Sequence, residues 1–257
     1  LLVKLQRSGR VFVGEASAGR RNVPDVDHSS PRADIVEEAR RVTTAAQQEQ
    51  IALKLTGGLG IYFHAPSARA APFRREYRDL DFVGLSAQRV AVQPFLARLG
   101  YKPDIPFNTL QGRRRLRYWD VMHDRQVDIF LDQIWMCHII DLRDRLHEPE
   151  GVLTPADLLL TKMQIVKLNA KDLTDIVALL LDHPVGAGDG EVINAPYVAR
   201  LLGRDWGFYR TLQLNMDRIR TALARLPDQT DAVGSRLAAL WQAVEMHPKS
   251  LSWRLRA

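Results

Sequence analysis

The chain is poor in the residues that staple small proteins. Cys137 is its only cysteine in 257 residues, which excludes an internal disulfide and a cysteine zinc site and suits a reducing cytoplasm. Lysine is scarce as well: it occupies positions 4, 54, 102, 162, 167, 171 and 249, so 36 − 7 = 29 of the basic residues are arginine. We read that skew as a trace of a GC-rich genome. Long apolar runs are missing. The longest, Ile176 to Leu181, is far too short to span a bilayer, and no membrane partner is expected. No secretory signal opens the sequence, so a cytoplasmic location is expected, and the leading Leu1 suggests a lost true start. His123, His138 and His147 show no metal-ligand spacing and read as ordinary polar residues.

What is present is a net charge of +6, a pI near 9.7 and a hydrophobic fraction of 46%. That fraction can build one large core or two small ones. The positive balance points to a polyanionic partner such as an NTP, tRNA or DNA.

One stretch stands out, Leu55 to Gly84. It opens Leu-Thr-Gly57-Gly58-Leu-Gly and closes Arg-Asp79-Leu-Asp81-Phe-Val-Gly. Glycines between a short apolar strand (Ile51 to Leu55) and a helix (Leu59 to His64) let backbone approach a phosphate at a helix N-terminus. A plain tight turn is the competing reading of Gly57-Gly58. Side chains at i and i+2 leave one face of a strand, so Asp79 and Asp81 should stand side by side, a repulsion that divalent cations relieve.

Along the chain, residues 1–32 read as a disordered basic leader, 33–150 as the catalytic core and 151–257 as a helical domain. A helix is expected from Arg32 to Gln50, a loop over Ala65 to Arg78, and a helix Ala87 to Leu99 capped by Ser86, with Val90, Val92, Phe95, Leu96 and Leu99 buried. A second loop carries Pro103, Pro106 and Asn108. A hairpin of Leu110–Met122 with Gln126–Leu131 follows, then a strand holding His138 and Asp141. The hairpin's Arg113-Arg114-Arg115-Leu116-Arg117 is either a solvated edge or an anion contact. Asp128 faces opposite to Val127, Ile129 and Leu131, where a carboxylate is costly unless paired, metal-bound or exposed; Asp132 is its fallback. Thr154-Pro155-Ala-Asp157 starts a helix running to Leu168, and Lys171 to Leu181 continues it. Helices Ala195–Leu202, Trp206–Leu226 and Asp231–Glu245 complete the chain, with Trp253 in a frayed or partner-bound tail.

Gly57-Gly58, a helix, Asp79-x-Asp81 on a strand and Asp128 on a later strand together resemble the nucleotidyltransferase superfamily, the polymerase β-like enzymes. The resemblance covers about residues 35 to 182, with a Gly58-to-Asp79 gap longer than usual for the family. Pro155 to Ile176, with Lys162 in Thr-Lys and then Lys171-Asp172 and Asp175, is similar to the AbiEii-type toxins of type IV toxin–antitoxin systems.

The resemblance implies an α/β (α+β) fold: a small mixed-sheet core with flanking helices and a C-terminal helical bundle. It implies transfer of an NMP from an NTP to an acceptor hydroxyl with two Mg²⁺, the acceptor being a tRNA 3′ end, a protein or a small molecule, and an antitoxin partner is conceivable. Asp79 and Asp81 would hold both metals, Asp128 the catalytic one, Gly57 and Gly58 the phosphates, and Lys162 the triphosphate, with Asp172, the aspartate of the second motif, as a further nucleotide-binding residue. The alternatives are a degenerate scaffold that binds nucleotide or RNA without transfer, and a helical DNA-binding or structural protein.

Overall fold

The computed structural model describes residues 30–147, 150–224 and 227–257. All but residues 30–32 of the expected leader lie outside them. The first helix, α1 (Ile35–Gln48), starts three residues later than expected, because Asp34 accepts the N–H groups of Val36 and Glu37 and so fixes the N-cap. Its face of Ala39, Val42, Ala45 and Ala46 is buried against the sheet.

Five strands form one mixed sheet in the order β1 (Leu53–Leu55), β2 (Leu80–Gly84), β5 (Arg125–Leu131), β4 (Arg115–Asp120), β3 (Lys102–Pro103). Only β2 and β5 run parallel, with Asp81 opposite Asp128; the other pairings are antiparallel. The period-2 pattern sorts the faces. Leu80, Phe82, Leu116, Tyr118, Val127 and Ile129 enter one core with α1 and with α3 (Arg89–Arg98). Asp81, Val83, Asp128 and Phe130 leave the other face, where Val83 and Phe130 join a second core.

Several local expectations give way to tertiary context. Residues read as loop and strand form α4 (Ile105–Gln111), capped by Asp104 on the Phe107 N–H with Pro106 in its first turn. The hairpin's first arm therefore begins at Arg115, and it ends at Asp120, whose carboxylate accepts the Met122 and His123 N–H groups of the turn. Val90 is 83% exposed rather than buried. Ser86 binds the Asp132 carboxylate through its N–H and hydroxyl (2.8 and 2.6 Å), which commits Asp132 to a structural role. The small hairpin β6 (Gln133–Trp135) with β7 (Ile139–Asp141) follows, and His138 precedes β7 instead of lying on it.

The second core is built by α5 (Pro155–Met163), α6 (Ala170–Asp182), α7 (Ala195–Leu202), α8 (Trp206–Leu223) and α9 (Pro227–Met246), with a short parallel pair β8 (Val185–Gly186) and β9 (Ile193–Asn194) between α6 and α7. α5 starts on its Thr154 cap but ends at Met163, where the Asn215 amide donates to the freed carbonyls of Met163 and Ile165, 2.9 Å each. Trp253, in the terminal α10 (Leu251–Arg254), is not frayed: it packs against this core edge-on to Tyr209. The fold class is α+β, as expected. Among the described residues no helix is long and apolar enough to cross a membrane.

Candidate active site

The sheet face opposite α1 carries a cleft of about 380 Å³ where the ends of β1 and β2 meet α5 and α6; Thr56, Gly57, Asp81, Arg115, Lys162 and Asp172 line it. Each wall has a local cause. β1 ends at Leu55, and the chain enters α2 (Gly57–His64) through Thr56, whose N–H donates to the Asp81 carbonyl at 2.8 Å. Gly57 takes φ +65, and a Cβ there would lie 2.6 Å from Asp81 Oδ2. Only glycine satisfies both demands, so the turn presses directly on the carboxylate. The first N–H groups of α2 have no intrahelical acceptor and, with the helix dipole, make the end of the cleft attractive to anions. Thr56 Oγ1 is buried there and lacks a hydrogen-bond partner among the described residues. Gly58 points elsewhere: a Cβ on it would meet Arg75 Nη2 at 1.9 Å.

Parallel register places Asp81 and Asp128 side by side on the cleft floor. Burial, then the charge of Asp128, then that of Asp79 push the Asp81 carboxyl up to about 6, against the pull of Arg115 and Lys162. Asp79 lies one residue before β2 and is exposed. It is therefore not the paired strand residue that the i, i+2 pattern implies, although its charge acts on Asp81.

Asp128 is only 2% exposed and is enclosed by cations. Arg115 grips it in a bidentate pair, its Nε donating at 2.9 Å, while Arg117 Nε donates at 3.2 Å and the Gln126 amide also donates. Two of the four clustered arginines thus turn inward onto a carboxylate. A third, Arg114, stacks 3.5 Å from the Trp135 ring centroid.

On the opposite wall Lys162 Nζ lies 3.0 Å from Asp172 Oδ1 and 2.9 Å from Asp175 Oδ2. Burial alone would depress this amine, but the two carboxylates outweigh it and hold the pKa above its ordinary value. Asp175 also receives a bidentate Arg75, both contacts 2.8 Å. Asp172 forms a capping box with Asn169 at the start of α6. The sequence-derived residues Gly57, Asp81, Asp128, Lys162 and Asp172 therefore converge on one place, with Asp79 at its rim and Gly58 turned toward Arg75. Sequence reasoning missed Thr56, Arg75 and the specific grip of Arg115 on Asp128; the arginine run was the one signal that could have suggested the last.

Asp79, Asp81 and Asp128 offer only carboxylate oxygen, the donor type Mg²⁺ takes, but among the described residues their oxygens do not gather within 4.8 Å of one another as the ligand atoms of His64, His183 and Glu191 do. Asp128, held by Arg115, Arg117 and Gln126 together, has its oxygens committed to protein donors in this arrangement.

No family model matches the chain, and no curated protein does. Among solved structures it is similar to the antibiotic-resistance factor ANT(2'')-Ia, with a TM-score of 0.38 and 12% identity over 82% of this chain and 97% of that one. It is also similar to JHP933 from Helicobacter pylori, with a TM-score of 0.35 and 10% identity over 84% and 95%. Neither likeness bears on the chemistry of the cleft.

Proposed function

We propose that the chain is a nucleotidyltransferase that moves an NMP from an NTP to an acceptor hydroxyl. The observation that carries this reading is the in-register pair Asp81 and Asp128 beneath the N-terminus of α2, with Gly57 pressed against Asp81. Two carboxylates beside a helix start provide both a place for hard cations and a cradle for phosphate oxygens. Asp79, Asp81 and Asp128 would hold Mg²⁺, which when bound polarises the phosphoryl oxygens and neutralises their charge.

The chain's own groups do the rest. The N–H groups that open α2 and the Thr56 hydroxyl receive phosphate oxygens, and Lys162 offsets the negative charge that builds on the leaving pyrophosphate. Transfer forms a bond from the acceptor oxygen to the α-phosphorus and breaks the bond from that phosphorus to the bridging oxygen, releasing pyrophosphate, while the proton of the acceptor hydroxyl is given up to solvent. An AbiEii-like toxin acting on a tRNA 3′ end or a protein, with an antitoxin partner, is the narrower form of this reading. It rests on the residues from Pro155 to Ile176 alone.

A second reading is favoured by one observation: Asp128 is already neutralised by Arg115 and Arg117. A scaffold that binds NTP without transferring it would keep that grip permanently. Incubation with each α-³²P-labelled NTP, Mg²⁺, total tRNA and cell extract, beside Asp81→Asn and Asp128→Asn, separates the two. Label on RNA, protein or a small molecule that only the unmutated chain deposits supports transfer. Mg²⁺-dependent NTP binding without any transfer supports the second reading.

A further inference from the structure

Away from the cleft, the far end of α2 meets the far end of α6. His64 is the last residue of α2 and His183 is the C-cap of α6. The loop between β8 and β9 then turns through Gly190, at φ +99, and brings Glu191 over both rings. We propose that His64, His183 and Glu191 form a three-ligand site for a Zn²⁺-class divalent ion, distinct from the carboxylate cluster of the cleft.

The spacing supports it. His64 Nδ1 lies 3.4 Å from Glu191 Oε1, and His183 Nδ1 lies 3.4 Å from Oε2. One potential ligand atom from each residue falls within 4.8 Å of the other two. Charge-assisted hydrogen bonds close to about 2.7–2.9 Å. The two 3.4 Å contacts run to different oxygens of the Glu191 carboxylate, so an ion about 2.0–2.1 Å from its ligands, which then stand about 3.3 Å apart, needs small side-chain shifts to draw the three together. His183 Nδ1 is also 3.1 Å from the Glu191 carbonyl oxygen, a contact that ion binding would replace.

Protein groups leave the imidazoles incompletely satisfied. His183 is 2% exposed, and its Nε2 is buried without a partner among the described residues. Burial, opposed by Glu191 and reinforced by His183, keeps the His64 pKa below its ordinary value. Both histidines sit at helix C-termini, whose partial negative charge favours a cation.

Two imidazoles and one carboxylate select Zn²⁺, Co²⁺ or Ni²⁺ over Mg²⁺. The Glu191 side chain is 75% exposed, so an ion can enter from solvent and keep a water as fourth ligand. Bound there, it would tie the loop between β8 and β9 to α2. Gly57 opens that same helix roughly 10 Å away along its axis, at about 1.5 Å per residue, so the ion would stiffen one wall of the cleft without entering it.

The test uses the purified chain, stripped with a chelator and titrated with Zn²⁺ by calorimetry and with Co²⁺ by its visible spectrum. His64→Gln and Glu191→Gln are run alongside, with the double variant Asp79→Asn, Asp81→Asn as control and far-UV circular dichroism as a check on folding. The expected result is one Zn²⁺ equivalent and a tetrahedral Co²⁺ band that persists in the aspartate control. Removing a ligand should cost at least as much as losing a second-shell partner, more than about tenfold in affinity. Because Glu191 is exposed, Glu191→Gln keeps the experiment decisive even if His64→Gln misfolds. Absence of the Zn²⁺ equivalent, unchanged affinity in folded Glu191→Gln, or loss of the Co²⁺ band only in the aspartate control would each overturn the proposal.

Discussion

Replacing Asp81 by Asn should make the protein more stable while ending its proposed chemistry. In the folded chain the Asp81 carboxyl titrates at about 6, pushed up by burial and by Asp128, against an unfolded value of about 3.9. A raised acid stabilises the fold fully only below its unfolded pKa, and that contribution is lost as pH rises through the folded one. At pH 7.5 the ionised side chain is therefore a liability. The shift of about 2 units corresponds to about 3 kcal/mol, and partial solvation brings the expected range to about 1–3 kcal/mol.

Asparagine removes the charge at nearly constant volume, so Asp81→Asn should gain that amount in urea unfolding at pH 7.5 without metal. The gain should fall to about half at pH 5 and vanish near pH 3, once the carboxyl is protonated in the unfolded chain as well. Added Mg²⁺ should stabilise the unmutated chain much more than the variant, closing the gap from the other side. A variant no more stable than wild type at pH 7.5, or a gain independent of pH, would refute the electrostatic account of the cleft floor.

Gly57→Ala should cost about 1–3 kcal/mol, since alanine is strained at φ +65 and its Cβ would sit 2.6 Å from Asp81 Oδ2; thermal melts with and without NTP would show loss of both stability and ligand response. Arg115→Gln leaves the Asp128 carboxylate with Arg117 and Gln126 alone, and because Arg115 is partly exposed and those partners remain the loss should be about 1–3 kcal/mol. Mg²⁺ should restore a measurable part of that loss in a melt, and a loss that Mg²⁺ does not touch would mean that Asp128 is not a metal ligand. Lys162→Gln removes the cation between Asp172 and Asp175. The proposed role requires a fall in kcat for NMP transfer larger than any rise in KM, and a change in KM alone would make Lys162 only a binding group.

The elements that the sequence by itself determined are those whose cause lies within a few residues. Thr154-Pro155 starts α5, Asn194 starts α7, and the alternation around Asp128 sends Val127 and Ile129 to one core and the carboxylate to the other face. The α+β class follows from such signals, whereas the grouping of Gly57 and Asp81 with Asp128 was expected only from the resemblance. Local patterns misled where a neighbour in space supplied the deciding bond. Asn215 captures the carbonyls that end α5, and the Asp104 cap with Pro106 makes a helix of an apparent loop. Tertiary structure alone decided which charge meets which. Arg115 reaches Asp128 across a strand register, Arg75 reaches Asp175 from a loop, and His64, His183 and Glu191 gather from two helix ends and a turn. Backbone propensity is written in adjacent residues, whereas the partner of a buried charge is set by chain packing that brings distant residues within 3 or 4 Å, a range over which the interaction is strong and beyond which solvent screens it.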